Sequence, residues 1–205
     1  MRHATNHLKS VDPVLAAIIE RCGPCEIAYS EPQFSTLVRS IANQQLSGKA
    51  AATILGRLVE AAGGKLTPDS ILKLTPRRMR KCGFSGPKTA YIRDLARLSN
   101  KGKVPYDKFP QMTDAEVIES LTQVKGIGVW SAHMFLMFAL RRENILPVGD
   151  LGVRAAIKRA YKTRGTKKDP LPNPKQIQKL AKNWHPYCSI AAWYLWRSLE
   201  GPAKL

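Results

Sequence analysis

The sequence predicts an all-α protein, and three observations carry that prediction. Apolar residues recur at helical spacing nearly throughout the chain. No run alternates polar and apolar residues in the manner of a half-buried strand. Gly, Pro and capping residues stand where short helices would start and stop.

The elements follow in order. Leu15, Ile18 and Ile19 form one apolar face of a first helix. Cys22-Gly23-Pro24-Cys25 ends it. That tetrapeptide spells a redox C-x-x-C, but such a motif needs a strand before it and a helix after it. It is also only half a zinc site. A helix-ending Gly-Pro turn with two small apolar neighbours is the preferred reading. Pro32 is placed as a first helical residue, with Phe34, Leu37, Val38 and Ile41 lining that helix. Ser47 caps a helix that runs to Gly63-Gly64. Thr67-Pro68 and Thr75-Pro76 are two further starts of the cap-then-proline kind. Pro87 opens a helix bearing Tyr91, Ile92, Leu95 and Leu98. Thr113-Asp114-Ala115-Glu116 reads as a capping box ahead of Val117, Ile118 and Leu121. An apolar helix covers 129–140 and another covers 151–161. The stretch 162–175, with Pro170, Pro172 and Pro174 among lysines and arginines, reads as a mobile basic connection. A last helix carries Ile190, Ala191, Trp193, Tyr194 and Trp196; Trp184 and Trp193 are placed in the core.

The 205-residue chain carries 33 Lys+Arg against 15 Asp+Glu, a net charge of +18. A surface that basic repels itself unless it meets an anion, and the phosphate backbone of nucleic acid is the leading partner. A solvated basic face or an anionic membrane surface is the bland alternative. No stretch is long and apolar enough to span a bilayer. The first ten residues lack the apolar centre of a signal peptide, so a cytoplasmic, nucleoid-associated location is expected (nuclear in a eukaryote).

Two segments carry chemistry. In Lys125-Gly126-Ile127-Gly128-Val129, two glycines permit a tight turn between helices. The amides beyond them would stand at a helix N-terminus, where a phosphate oxygen is well received. Such a contact anchors DNA and reads no sequence. In Pro147-Val148-Gly149-Asp150-Leu151-Gly152-Val153-Arg154, Asp150 stands at a helix start. It is either an N-cap or a charged carboxylate placed to stabilise an oxocarbenium-like sugar or to hold a water. Local logic leaves both open.

The G-I-G turn followed about twenty residues later by P-V-G-D resembles the helix-hairpin-helix DNA glycosylases, and more closely the 3-methyladenine DNA glycosylase II family. Ile41-Ala42-Asn43-Gln44-Gln45-Leu46-Ser47-Gly48-Lys49-Ala50-Ala51 and Gly83-Phe84-Ser85-Gly86-Pro87-Lys88-Thr89-Ala90-Tyr91-Ile92 resemble that family's earlier segments, in the same order. The resemblance implies a compact two-lobed all-α fold with a central cleft. Residues 35–146 would form the hairpin lobe and residues 1–34 plus 147–205 the second, with Asp150 at the seam. It implies that Asp150 is catalytic and that Trp130 and Trp196 form the base pocket. Gln45 or Leu46 would be the wedge that enters the duplex. Trp130 stands where bifunctional relatives carry a Schiff-base lysine, so no lyase activity is expected. The carbonyls of Thr122, Val124 and Ile127 are implied to hold a monovalent cation. Only Cys188 follows the catalytic segment, so no iron–sulfur cluster is expected, and no other cofactor.

The expected activity is therefore hydrolytic excision of alkylated purines from double-stranded DNA by a monomer. A glycosylase for a mismatched or oxidised base is one rival. A DNA-binding module without catalysis is another, and it would have no use for Asp150.

Overall fold

The computed structural model describes residues 1–200. All regular structure among them is helical, and no helix is long and apolar enough to cross a membrane. The chain divides into two units, Tyr29–Leu140 and the remainder, Met1–Ala28 with the chain from Arg141 onward.

The Tyr29–Leu140 unit holds α3 (Phe34–Asn43), α4 (Gly48–Ala61), α5 (Pro68–Lys73), α6 (Pro76–Lys81), α7 (Gly86–Asn100), α8 (Asp114–Thr122) and α9 (Val129–Phe138). Leu37, Val38 and Ile41 of α3, Ile92 and Leu95 of α7 and Leu136 of α9 are buried in its core. Helix α7 packs against α3, α5 and α6, and α8 packs against α9. Thr67, Thr75 and Thr113 each accept an amide of the first turn, as their sequence positions predict, and Ser85 does the same for α7, which starts at Gly86 and not at Pro87. Each such cap is worth about 1 kcal/mol. Pro32 does not open α3. Gln33, in an extended conformation, is the N-cap, and its own amide is held by the Glu31 carbonyl at 2.9 Å, so Pro32 lies in the turn before the helix.

The other unit holds α1 (Arg2–Val11), α2 (Pro13–Cys22), α10 (Leu151–Tyr161), α11 (Pro174–Leu180), a 3₁₀ turn at Ala181–Trp184, and α12 (Cys188–Leu199). Asp12 joins them. It ends α1 and caps α2, with Oδ1 accepting the amides of Val14 and Leu15 at 2.9 and 3.0 Å. Its Oδ2 accepts the Tyr161 hydroxyl at 2.7 Å and the Trp184 indole N–H at 2.8 Å. Four donors offset the desolvation of a carboxylate that is only 7 % exposed. Trp184 is buried, as the sequence suggested, whereas Trp193 is half-buried beneath the Arg197 guanidinium.

The breaks between units fall a few residues before the 35 and 147 read from sequence. Hydrogen bonds explain the shift. Ser30 donates its amide to the Phe138 carbonyl at 2.9 Å. Residues 142–145 are fastened to Ser189: its amide reaches the Glu143 carbonyl at 2.9 Å, and its Oγ accepts the Ile145 amide at 2.9 Å. The Cys22–Cys25 segment is a helix-ending turn with Gly23 at φ 75°. Burial pushes the Cys25 thiol up to about 11, away from the thiolate that redox chemistry needs.

The basic connection after α10 is not structureless. Arg154 of α10 donates Nε to the Pro172 carbonyl at 3.0 Å and pairs with Asp169 at 2.6 Å. Asp169 in turn accepts the Leu171 amide at 3.1 Å and donates its own amide to Thr166 Oγ1 at 3.0 Å. Periodicity could not reveal this, because the loop is closed by side chains on backbone groups.

Candidate active site

The hairpin lies between α8 and α9. Val124 and Ile127 are buried and anchor the turn from beneath. Gly126 adopts φ +83°, and a Cβ there would stand 2.1 Å from Tyr91 Cδ2. Both the left-handed backbone and the ring of α7 therefore demand glycine. A Cβ on Gly128 would meet nothing within 4 Å. Gly128 is the N-cap of α9 and offers that helix no side-chain cap. Two hairpin amides are taken by acceptors within the protein. Lys125 N–H donates to Asp94 Oδ2 at 2.9 Å, and Ile127 N–H donates to the Val124 carbonyl at 3.0 Å. The start of α9 follows directly. Val129 and Trp130 sit there, 53 % and 49 % exposed.

The segment expected to hold the wedge lies between α3 and α4. Gln45 is left-handed at φ 55°, an uncommon conformation for a residue with a side chain. Leu46 is exposed, and its amide bonds the Asn43 carbonyl at 3.2 Å. Lys88, from the first turn of α7, donates Nζ to the carbonyls of Ala42 at 2.8 Å and Gln44 at 2.5 Å. Partial burial pulls its proton affinity below that of an ordinary lysine. Gln44 Nε2 donates to the Gly126 carbonyl at 2.9 Å. A cavity of about 720 Å³ brings Gln45, Gly126 and Trp130 together with Lys88, Tyr91 and Met134.

Asp150 is the N-cap of α10. Its Oδ1 accepts the Val153 amide at 2.7 Å and the Trp196 indole N–H of α12 at 2.7 Å. The carboxylate is 8 % exposed, while the next residue, Leu151, is 68 % exposed. A Cβ on Gly152 would stand 2.8 Å from Trp196 Cδ1 and 3.1 Å from Asp150 Oδ1, so glycine is what lets the indole reach the carboxylate. Cap and held carboxylate, which the sequence presented as alternatives, coexist in one residue.

Among the residues picked from sequence, the structure gathers Gln45, Gly126 and Trp130 around one cavity of the Tyr29–Leu140 unit, and Asp150 with Trp196 in the other unit. Trp196, expected in the base pocket, donates its N–H to Asp150. Lys88, Tyr91, Asp94 and Arg154 were not singled out. The first three stand three residues apart, and that spacing on α7 was the available signal.

Comparison with known proteins places this geometry. The sequence family described as HhH-GPD superfamily base excision DNA repair protein matches residues 38–186. DNA-3-methyladenine glycosylase 1 of Schizosaccharomyces pombe is 30 % identical over 198 residues, 94 % of this chain and 85 % of that protein. The structure of a DNA-3-methyladenine glycosidase from Bacillus halodurans superposes with a TM-score of 0.83 at 33 % identity, over 95 % of this chain and 88 % of the other. That of the S. pombe enzyme Mag1, in complex with abasic DNA, gives 0.82 at 30 % identity over 96 % of both chains.

Proposed function

The chain belongs to the HhH-GPD superfamily of base excision DNA repair proteins, and from that membership we propose that it is a monofunctional DNA-3-methyladenine glycosylase that flips alkylated purines out of double-stranded DNA and hydrolyses their glycosidic bond. The observation that carries the reading is Asp150, a nearly buried carboxylate oriented by two N–H donors on one oxygen.

N-alkylation puts positive charge on the purine and makes it a good leaving group, so little general-acid help is needed. As the glycosidic bond breaks, the sugar becomes oxocarbenium-like, and a fixed carboxylate stabilises that charge or orients the attacking water. Val153 and Trp196 hold Asp150 in one orientation beforehand. The half-exposed Trp130 supplies an indole face to the cationic base, worth on the order of 1–2 kcal/mol when desolvated. Gln45 or Leu46 fills the gap left in the stack. An indole forms no Schiff base, so the abasic strand is left uncut.

The uncapped start of α9 and the exposed Lys125 side chain anchor a phosphate. The turn suits a monovalent cation. The Val124 carbonyl accepts the Ile127 amide, a carbonyl oxygen has a second lone pair, and with the carbonyls of Thr122 and Ile127 it offers the all-oxygen donors such an ion takes. Bound, the cation would add positive charge beside the phosphate. The reading includes no iron–sulfur cluster and a monomer acting on nucleoid or nuclear DNA.

The test is a panel of single-lesion duplexes bearing 3-methyladenine, 7-methylguanine, hypoxanthine or a thymine mismatch, assayed for free base with the wild type and Asp150→Asn. Release of methylated purines by the wild type, lost in the variant and without strand cleavage, is expected. Release from the mismatch alone, or unchanged release by the variant, would overturn the reading.

A further inference from the structure

We propose that α7 fixes the spacing between the wedge turn and the phosphate-binding hairpin, with Lys88 as the positioning residue on the wedge side. The inference rests on the glycosylase reading for what the turn between α3 and α4 does; the contacts themselves lie within the Tyr29–Leu140 unit.

Lys88, Tyr91 and Asp94 stand at i, i+3 and i+6 on α7, along one stripe of the helix. Each holds a different piece of the machinery. Lys88 Nζ binds the carbonyls of Ala42 and Gln44, where the last turn of α3 leaves backbone acceptors without amides. A cation suits that position, because it is the negative end of the helix. Fixing the Gln44 carbonyl fixes the peptide that leads into Gln45, whose positive φ the chain does not adopt readily. Tyr91 occupies the space that a side chain at position 126 would fill, so it sets the depth of the hairpin glycine. Asp94 takes the Lys125 amide on Oδ2, and Arg97 holds its Oδ1 at 2.9 Å. Gln44 Nε2 to the Gly126 carbonyl closes the circuit directly from turn to hairpin.

A helix rises about 1.5 Å per residue, so Lys88 and Asp94 lie roughly 9 Å apart along a rigid rod. A duplex gripped at the hairpin phosphate then meets its wedge at a set distance. Without the Lys88 contacts the turn is released toward ordinary backbone conformations, while the hairpin, held by Tyr91 and Asp94, keeps its grip. Lys88 directs its ammonium at two backbone carbonyls, contacts that a lysine serving only as a phosphate contact would not need.

The experiment uses the full chain, Lys88→Met and Lys88→Arg, with a duplex carrying a tetrahydrofuran abasic analogue beside 2-aminopurine. Anisotropy reports binding and 2-aminopurine fluorescence reports disruption of the stack. With Lys88→Met, the fluorescence change at saturating protein should fall at least five-fold, while the slope of log affinity against log salt stays at its wild-type value. Lys88→Arg keeps N–H donors and should recover at least half of the signal. A wild-type signal in Lys88→Met, or no signal from the wild type itself, overturns the inference. So does a slope shallower by about 0.9, which would mark Lys88 as a phosphate contact. Equal loss in both variants with a lowered unfolding midpoint would mark a fold effect and overturns it as well. Base release plays no part in this readout, so failure of the catalytic reading is seen separately.

Discussion

The Trp196 indole nitrogen stands 2.7 Å from Asp150 Oδ1, the oxygen that also accepts the Val153 amide. Trp196→Phe keeps the ring and removes the donor. A hydrogen bond to a charged group is worth about 1.5–3 kcal/mol, so kcat for base release should fall roughly 10- to 100-fold with little change in KM. Gly152→Ala should act in the same direction, because its new Cβ would stand 2.8 Å from Trp196 Cδ1. Single-turnover base release with each variant checks both, and an unchanged rate in Trp196→Phe would remove the indole from the mechanism.

Asp150→Asn separates the two roles of one side chain. Asparagine caps a helix about as well as aspartate, so the unfolding free energy should stay within about 0.5 kcal/mol of wild type. The charge opposite the developing cation is gone, and base release should fall by at least about 100-fold. Asp150→Ala should lose the activity and also about 1 kcal/mol from the missing cap. Urea unfolding beside an activity assay distinguishes the variants.

Much of this was legible in the chain before the structure. Caps at Thr67, Thr75 and Thr113 could be read because they act on amides three residues away. Gly126, Trp130 and Asp150 could be picked out because the motifs that contain them are contiguous. What stayed hidden was chemistry between distant residues: Asp12 with Tyr161 and Trp184, Lys88 with Ala42 and Gln44, Arg154 with Asp169 and Pro172. No period or propensity encodes such pairs. The acceptor of the Lys125 amide was hidden for the same reason, since Asp94 lies 31 positions earlier.

Gly126→Ala meets two obstacles: a left-handed backbone at φ +83° and the Tyr91 ring, 2.1 Å from the new methyl. DNA binding should weaken at least ten-fold as the hairpin is displaced. Adding Tyr91→Ala removes the clash but leaves the backbone strain, of order 1 kcal/mol, so the double variant should recover only part of the affinity. Titration of a fluorescent abasic-analogue duplex measures this. Full recovery would show that the backbone conformation is unimportant.

The loop after α10 should be sensitive to acid. The hydrogen bond from Arg154, then that from the Leu171 amide, holds the Asp169 carboxyl below its usual range. A carboxyl with a depressed folded-state value contributes loop stability that is present above the ordinary value near 3.9. That contribution is lost as pH falls through the depressed one. Hydrogen exchange at the Leu171 amide should therefore be protected equally at pH 7 and pH 5 and released only in stronger acid. Asp169→Asn should open the loop already at pH 7, with faster trypsin cleavage at Lys167 and Lys168.

Asp12 should matter for stability and not for chemistry. Its carboxylate accepts two amides, a phenol and an indole, and lies in a different place from Asp150 in the same unit. Asp12→Ala leaves all four donors without that acceptor. At about 1–3 kcal/mol for each buried group left unsatisfied, and with some reached by water, a loss of at least 3 kcal/mol is expected. For a protein of this size that lowers the unfolding midpoint by roughly 6–12 °C. Tyr161→Phe and Trp184→Phe each remove one donor and should cost about 1 kcal/mol. Because both bond Oδ2, their combined effect should depart from the sum of the two single effects. Activity per folded molecule should be unchanged in all three variants below their midpoints. A Trp184→Phe protein that kept its midpoint, or an Asp12→Ala protein that was folded but inactive, would contradict a purely structural Asp12.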